Sequence, residues 1–215
     1  MKKAITIFIL VLMALSLFAQ RVEGPKFKYE HGDLTIYADK DTCSQVTIHK
    51  VSSDEIIKLD EGRSNKWHKE KLSGPYKKQY YTNSGYDLGH LTPSHITSYN
   101  DTLNYHSFSM LNQAPQLAQF NRGKWSRLES AVVDTIINNG GDAVIVTGVI
   151  YNNNKKTYLS GSRVKIPIAW FKVLFIGGQT YAWVGSNING LITVVTLENV
   201  NKMLSMNGNK LIILK

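Results

Sequence analysis

One amphipathic helix, followed by a series of apolar segments, constrains the fold more than any other feature. From Lys124 onward, apolar residues recur at spacings of three and four, which is typical of a helix with one buried face. The stripe consists of Trp125, Leu128, Val132 and Ile136, widened by Val133 and Ile137. Gly140 and Gly141 supply a stop, so the spacing predicts one helix that ends before them.

The segments after this helix are rich in β-branched and aromatic residues and are separated by Gly and Asn, which favours strands of one central sheet. They cover 143–149, 168–176, 181–184 and 191–197. Nearer the N-terminus, further strands are predicted at 27–29 and 34–37, on either side of a His31-Gly32-Asp33 turn, and at 46–48 and 56–59. We therefore expect a mixed α+β fold.

The start of the chain has the three-part pattern of a secretory signal peptide. Lys2 and Lys3 precede an almost wholly apolar stretch, and the small residue Ala19 marks a cleavage point before Gln20. The apolar stretch is short for a membrane span, although an uncleaved anchor stays open. We predict a signal peptide at 1–19 and a single mature domain at 20–215, secreted or periplasmic, with no stable membrane association after cleavage.

Charge and cysteine content narrow the function further. The chain has 25 Lys and Arg against 16 Asp and Glu, a net charge of +9. Only two of those basic residues lie in the predicted signal peptide, so the surplus belongs to the folded part and favours an anionic partner. The one cysteine, Cys43, excludes an internal disulfide framework and a zinc site built from several thiolates.

Residues with catalytic chemistry are concentrated between Tyr86 and Glu129. His90 follows a glycine and precedes a proline-containing turn, so we expect it where a strand becomes a loop, as a general base near neutral pH. On a helix, the rotation from Asn121 to Glu129 is two full turns plus ~80°, so the two side chains point in roughly the same direction. An amide oxygen and a carboxylate suit Mg²⁺. Together these groups favour phosphodiester hydrolysis, while a structural role for the histidine stays open.

These motifs resemble those of the DNA/RNA non-specific endonuclease family, the ββα-metal nucleases of the endonuclease G and Serratia nuclease type. That family carries Asp-Arg-Gly-His, then Asn-x-x-Pro-Gln, then Asn-x-Gly-x-Trp-x-x-Leu-Glu. The second motif stands here as Asn112-Gln113-Ala114-Pro115-Gln116, and the third runs from Asn121 to Glu129. The resemblance implies a central, mostly antiparallel sheet flanked by helices, with a ββα-metal (His-Me finger) active-site motif.

The resemblance also implies roles for individual residues. His90 corresponds to the general base and Asn121 to the one direct protein ligand of Mg²⁺. Glu129 corresponds to the carboxylate that holds a metal-bound water. Asn112 resembles an active-site asparagine that positions the metal or the histidine loop, and Arg63 is the candidate for an upstream arginine on the scissile phosphate.

The first motif departs from the family pattern at Leu88. Asp87 matches the signature acid, with turn capping as an equal alternative, but the family's next residue is Arg. A leucine cannot donate to a phosphate oxygen as an arginine does. Loss of such a donor costs ~10²–10³ in rate unless another cation, such as Arg122 or Arg63, replaces it. A slower or retuned enzyme, and a binding protein with little catalysis, stay open as alternatives.

The sequence therefore predicts an exported, Mg²⁺-dependent, sugar-non-specific endonuclease that cleaves DNA and RNA to 5′-phosphate ends, with Mn²⁺ as an alternative ion. Alternatives are a catalytically weakened nucleic-acid-binding protein and an enzyme for another phosphodiester or pyrophosphate. Lys66, Lys77 and Lys78 lie in a basic, tyrosine-rich stretch that is either a track for the substrate backbone or a solvated loop. His95 is expected to be structural or surface. A homodimer and a protein inhibitor stay open as partners.

Overall fold

The computed structural model describes residues 21–25, 27–39, 43–58, 64–69 and 78–214. The predicted signal peptide at 1–19 lies outside the described residues. Arg63 and Lys77, two of the predicted site residues, lie outside them as well.

A seven-stranded antiparallel sheet forms the centre of the fold. The strands of all three sheets, in chain order, are β1 (Arg21–Glu23), β2 (Phe27–His31), β3 (Leu34–Asp39), β4 (Cys43–Ser52), β5 (Tyr86–His90), β6 (Gln113–Leu117), β7 (Asp142–Ile150), β8 (Ala169–Ile176), β9 (Gln179–Ser186), β10 (Ile192–Val195) and β11 (Ile212–Leu214). The central sheet has the order β10-β9-β8-β7-β4-β3-β2, and each neighbouring pair is antiparallel. This confirms the predicted α+β class with a central, mostly antiparallel sheet.

Helices cover the sheet and carry the chain between its strands. They are α1 (Ser53–Ile56), α2 (Asp101–Ser107), α3 (Ala118–Phe120), α4 (Ser126–Asn139) and α5 (Leu197–Met206). A π-helical turn at Asn121–Trp125 joins α3 to α4, so the three segments form one continuous helix. The pairs β1–β11 and β5–β6 form two small antiparallel sheets of their own.

Strand β8 is buried on both faces of the central sheet. Trp170 and Leu174 lie in the apolar cluster under α4, whereas Phe171 and Val173 lie in the cluster under α5. Burial on both faces explains the nearly uninterrupted apolar run that predicted this strand. Because side chains alternate along a strand, Lys172 shares the α4 face with Trp170 and Leu174, and it is itself buried.

The predicted amphipathic helix is confirmed as α4, whose buried residues are Leu128, Val132 and Ile136. The chain leaves this helix at Gly140 with a φ of 69°, a conformation that glycine adopts without strain. Ile137 was expected in the apolar stripe, but it is 40% exposed. Its position ~100° around the helix from Ile136 turns its side chain off the buried face.

The strand predicted at 56–59 is wrong, because Ile56 ends the short helix α1. Ser52 and Glu55 form a capping box: the Glu55 backbone N–H donates to Ser52 Oγ at 3.3 Å, and the Ser52 backbone N–H donates to Glu55 Oε2 at 2.8 Å. Both bonds satisfy donors at the start of a helix, so the chain turns where apolar content alone suggested a strand.

The strand predicted at 191–197 is too long. Strand β10 ends at Val195, and α5 begins at Leu197. Thr196 is the helix cap, since its side-chain oxygen accepts a hydrogen bond from the Asn199 backbone N–H at 3.1 Å. A threonine between two apolar runs ends the strand and starts the helix.

Candidate active site

The hairpin β5–β6 leads directly into the long helix and forms a ββα unit. The two strands are antiparallel, with Tyr86 opposite Leu117 and His90 opposite Gln113. The chain then passes from Leu117 into α3 without a loop. His90 is the last residue of β5, where the sequence placed it, at the point where a strand becomes a loop.

The glycine of the first motif is required for packing. A Cβ atom added to Gly89 would lie 2.5 Å from Gln116 Oε1 and 3.0 Å from Trp170 Cη2. The hairpin therefore lies directly against the central sheet at this point. Asn187 holds it there: its Nδ2 donates to the Pro115 carbonyl at 3.0 Å, and its Oδ1 accepts from the Leu117 backbone N–H at 2.8 Å.

Two aromatic rings fix the orientation of the His90 imidazole. The ring of Phe108 is nearly perpendicular to it, at 85°, with the ring centroids 5.1 Å apart. Trp67 lies against it at 5.3 Å and 46°. Phe108 is buried and Trp67 is half-buried, so the imidazole is held by rings that are themselves held in place.

Asn112 braces the loop that follows His90. Its Oδ1 accepts a hydrogen bond from the Thr92 backbone N–H at 2.9 Å, and its Nδ2 donates to the Thr92 carbonyl at 2.7 Å and to the Ser107 carbonyl at 2.7 Å. Its side chain is buried. Both ends of the amide are thus bonded to backbone, which leaves this residue a role in holding the histidine loop.

Asp87 binds two residues at the start of the helix. Arg122 donates to its carboxylate from Nε at 2.9 Å and from Nη2 at 2.6 Å, and Asn121 donates from Nδ2 at 2.9 Å. Partial burial works against ionisation of Asp87, but the bonds from Arg122 and Asn121 hold its pKa below its ordinary value. Asp87 is therefore a charged anchor, with more than a turn-capping role.

The hydrogen bond to Asp87 also orients the Asn121 amide. An amide whose nitrogen donates to a carboxylate has its oxygen on the other side, so Oδ1 is the atom that remains for a cation. Asn121 is the first residue of the π-helical turn. Because a π-helical turn is wider than an α-helical one, it reduces the angle of ~80° that a regular α-helix would leave between the Asn121 and Glu129 side chains. Such turns often occur at functional sites.

Glu129 lies opposite a buried lysine. The Lys172 Nζ is 3.8 Å from Glu129 Oε1, and it donates to Thr147 Oγ1 at 2.7 Å. The same ammonium lies 5.3 Å from the centre of the Trp125 ring. Burial raises the pKa of Glu129, while the charge of Lys172 and the Trp125 indole favour the carboxylate. Burial likewise lowers the pKa of Lys172.

These side chains meet in one cleft of about 480 Å³. Five of the predicted site residues line this cleft: Asp87, His90, Asn121, Arg122 and Glu129. The remaining lining residues are Trp67, Leu88, Pro93, Ser94, His95 and Ser126. Within the described part of the chain, no three His, Cys, Asp or Glu side chains form a metal-binding group. The cation ligands that the cleft offers are oxygens of an amide and a carboxylate.

Three predicted site residues with described coordinates do not line the cleft. Asn112 lies behind the histidine loop, as described above. Lys66 and Lys78 are exposed, on the 64–69 segment and at the start of a short 3₁₀ helix (Lys78–Tyr81). Lys66 is next to Trp67, whose ring reaches the cleft.

Comparison with known families identifies the chain. Residues 26–207 match the family described as DNA/RNA non-specific endonuclease. The chain belongs to this family. This match confirms the family resemblance that the motifs indicated, and it covers most of the chain.

One sequence relative and one solved structure are similar to this endonuclease-family chain to different extents. A protein named as a nuclease, from Nostoc sp. (strain PCC 7120 / SAG 25.82 / UTEX 2576), is 31% identical over 121 residues, which cover 56% of this chain and 41% of the relative. The chain thus spans about two fifths of that relative's length. A solved structure of the EndoG/EndoGI complex is similar in fold, with a TM-score of 0.72, 20% identity, and coverage of 89% of this chain and 86% of that one.

Two residues that were not among the predicted site residues lie at or next to the site in this family member. His95 was expected to be structural or surface, and it is exposed, on the wall of the cleft. Lys172 does not line the cleft but lies 3.8 Å from Glu129. Its signal was visible in the sequence, since it is one charged residue inside a strand of apolar ones.

Proposed function

We propose that the chain is an exported endonuclease that hydrolyses phosphodiester bonds in DNA and RNA with the help of a divalent cation. The observation that carries the proposal is the shared cleft of His90, Asn121 and Glu129, which joins a base and two oxygen ligands in one place. Membership of the DNA/RNA non-specific endonuclease family supports the same substrates.

His90 is the proposed general base. An imidazole exchanges a proton near neutral pH, so it is well suited to take a proton from an attacking water. Phe108 and Trp67 restrict the ring to one orientation, which keeps that proton transfer directional. Asn112 supports this role by fixing the backbone of Thr92, two residues further along the chain.

Asn121 and Glu129 fit a hard divalent cation such as Mg²⁺, with Mn²⁺ as an alternative. The amide nitrogen of Asn121 is held by Asp87, which makes Oδ1 its cation-binding atom. Asn121 would hold the ion directly, and Glu129 would hold it through water, in keeping with the few protein ligands that Mg²⁺ takes. When bound, the ion supplies positive charge that stabilises the negative charge on the scissile phosphate and the leaving oxygen.

Arg122 is the proposed substitute for the arginine that Leu88 replaces. Leu88 is half-buried and packs against an apolar cluster, so it offers the cleft no hydrogen-bond donor. Arg122 lies in the same cleft with a side chain that is 73% exposed. Asp87 occupies Nε and one N–H of Nη2, so the remaining N–H groups can bind a phosphate oxygen.

The products and the setting follow from the same proposal. The oxygen of water bonds to the phosphorus, the bond from phosphorus to the 3′ oxygen breaks, and that oxygen takes a proton, which gives the 5′-phosphate and 3′-hydroxyl ends that the family resemblance implies. We further propose that residues 1–19 are a signal peptide and that 20–215 act as one domain, secreted or periplasmic. Within the described residues, no helix has both the length and the apolar character that crossing a membrane requires.

A second candidate rests on Leu88. If Arg122 does not replace the lost donor, the cleft keeps its binding groups but loses a large part of its rate, and the chain acts as a nucleic-acid-binding protein. The surplus of basic over acidic residues, of which only Lys2 and Lys3 lie in 1–19, supports binding in either case.

One assay separates the two candidates. Purified residues 20–215 are incubated with plasmid DNA and with RNA, in Mg²⁺ or in EDTA, beside the His90→Ala variant. The enzyme proposal predicts degradation of both substrates that EDTA and His90→Ala abolish. Salt-sensitive binding without any cleavage would favour the second candidate and refute the first.

A further inference from the structure

Lys172 is buried deep in the fold, 2% exposed, although lysine is almost never buried without a charged partner. Strand β8 presents it to the face covered by the long helix. Its ammonium has one neutral hydrogen-bond acceptor, Thr147 Oγ1, and one aromatic neighbour, Trp125. Among the described residues, the one acidic group within ion-pair distance is Glu129, at 3.8 Å.

The two charges attract each other without a direct hydrogen bond. A distance of 3.8 Å between Nζ and Oε1 is too long for a hydrogen bond but short enough for a strong charge interaction inside a protein. The oxygens of Glu129 therefore keep their capacity to accept hydrogen bonds from water. The ammonium supplies a fixed positive charge and takes no acceptor site from the carboxylate.

Glu129 lines two adjoining spaces, and Lys172 lines only one of them. A second pocket of about 190 Å³, lined among others by Thr147, Lys172 and Glu129, shares His95, Ser126 and Glu129 with the cleft. Lys172 does not line the cleft itself. A substrate in the cleft would thus reach Glu129 and not Lys172.

We propose that Lys172 is a positioning residue that holds the Glu129 carboxylate in a fixed place at the wall of the cleft. The inference rests on the proposed function, because it gives Glu129 a role in phosphodiester hydrolysis. Thr147 holds the ammonium in turn, since it lies opposite Lys172 in the β7–β8 register.

The chain offers a matched control in Lys165. This lysine is also buried, 5% exposed; its Nζ donates to Asn153 Oδ1 at 2.8 Å and lies 4.9 Å from the centre of the Tyr151 ring. It lines neither the cleft nor the second pocket. Lys172→Met and Lys165→Met therefore each remove a buried ammonium that donates to a side-chain oxygen and lies near an aromatic ring.

The first measurement is steady-state cleavage by residues 20–215 in Mg²⁺. We expect Lys172→Met to lower kcat by ~10²-fold with KM changed by less than about twofold, because the residue does not reach substrate. Lys165→Met is expected to keep the kcat of the unmutated chain. In the background of Glu129→Gln, Lys172→Met should cause no further loss. Equal losses in the two lysine variants, or an additive loss with Glu129→Gln, would overturn the proposal.

The second measurement uses urea unfolding without any metal. Lys172→Met leaves the half-buried Glu129 carboxylate without its opposing charge, and Glu129→Gln leaves the buried Lys172 ammonium without one. Each should lower the unfolding midpoint, while the double variant should recover part of the loss. A double variant whose midpoint falls by the sum of the two losses would refute the pairing. Because no cleavage is measured, this test still decides the pairing if the unmutated chain proves inactive and the proposed function fails.

Thr147→Val keeps the proposal testable if Lys172→Met does not fold. Valine has nearly the shape of threonine and suits a strand, but it removes the acceptor that holds Nζ. We expect kcat to fall about tenfold, with KM again unchanged. An unchanged kcat in Thr147→Val would count against the proposal.

Discussion

Asp87 links the metal-ligand candidate and the phosphate-binding candidate, so its charge should control the rate. Asp87→Asn keeps the size of the side chain and leaves one acceptor oxygen for three donors from Asn121 and Arg122. A hydrogen bond to a charged group stabilises the arrangement that makes it by ~2 kcal/mol, and each ~1.4 kcal/mol changes an equilibrium constant tenfold. The equilibrium constant that favours the orientation of Asn121 with its oxygen aimed at the cation should therefore fall by ~30-fold.

The loss of a well-placed phosphate donor adds to this effect, so we expect kcat to fall by ~10²-fold or more. The assay is plasmid cleavage at saturating substrate over a range of Mg²⁺ concentrations, and the Mg²⁺ concentration for half-maximal rate should rise. Glu30→Gln is the control, because it breaks an exposed ion pair with Lys28, 2.6 Å long, on the edge strand of the sheet. If Asp87→Asn keeps the kcat and Mg²⁺ dependence of the unmutated chain, the anchoring role is refuted.

Three further predictions follow from single residues. Gly89→Ala should lower both the melting temperature and kcat, since its Cβ would lie 2.5 Å from a Gln116 side-chain oxygen; normal values would contradict the close packing. Leu88→Arg should raise kcat, and no change in cleavage rate would mean that Arg122 already fills the role. Burial lowers the pKa of His49 from 6.5 to about 3. Above pH 6.5 the imidazole is neutral in both the folded and the unfolded chain, and the fold keeps its full stability. As the pH falls toward 3, protonation of His49 in the unfolded chain lowers the free energy of unfolding by as much as about 4 kcal/mol. Urea midpoints between pH 7 and pH 4 should fall less in His49→Gln, and an equal fall would reject this cause.

The sequence predicted the parts of the fold that depend on periodicity. The stripe of Leu128, Val132 and Ile136 identified α4, and the long apolar run identified β8, because each pattern reflects burial against one or two layers. The predictions at Ile56 and Thr196 were wrong because helix-capping hydrogen bonds decide where the chain turns at each place. Such a bond gives no signal in hydrophobicity.

The sequence predicted the site residues that belong to recognisable motifs. It did not predict the contacts between residues from distant segments of the chain. His90, Asn121 and Glu129 belong to motifs whose spacing is visible in the chain. Lys172 comes to Glu129 through the register of β8 with β7, which no local pattern reveals. The Asp87–Arg122 ion pair also depends on the hairpin and the helix meeting, so Asp87 was ambiguous from sequence alone.

The hairpin β5–β6 forms a two-stranded sheet of its own, held against the central sheet by the contact at Gly89, the bonds of Asn187 and a hydrogen bond from Ser44 Oγ to the Gln113 carbonyl. Strand β5 has one hydrogen-bonded partner strand and mostly half-buried side chains, whereas β8 is buried between two partner strands, and less buried segments open locally at a lower free energy. Amide hydrogens of β5 should therefore exchange with solvent faster than those of β8. Since this hairpin carries His90 and Asp87, cleavage should be lost at lower urea concentrations than those that unfold the sheet.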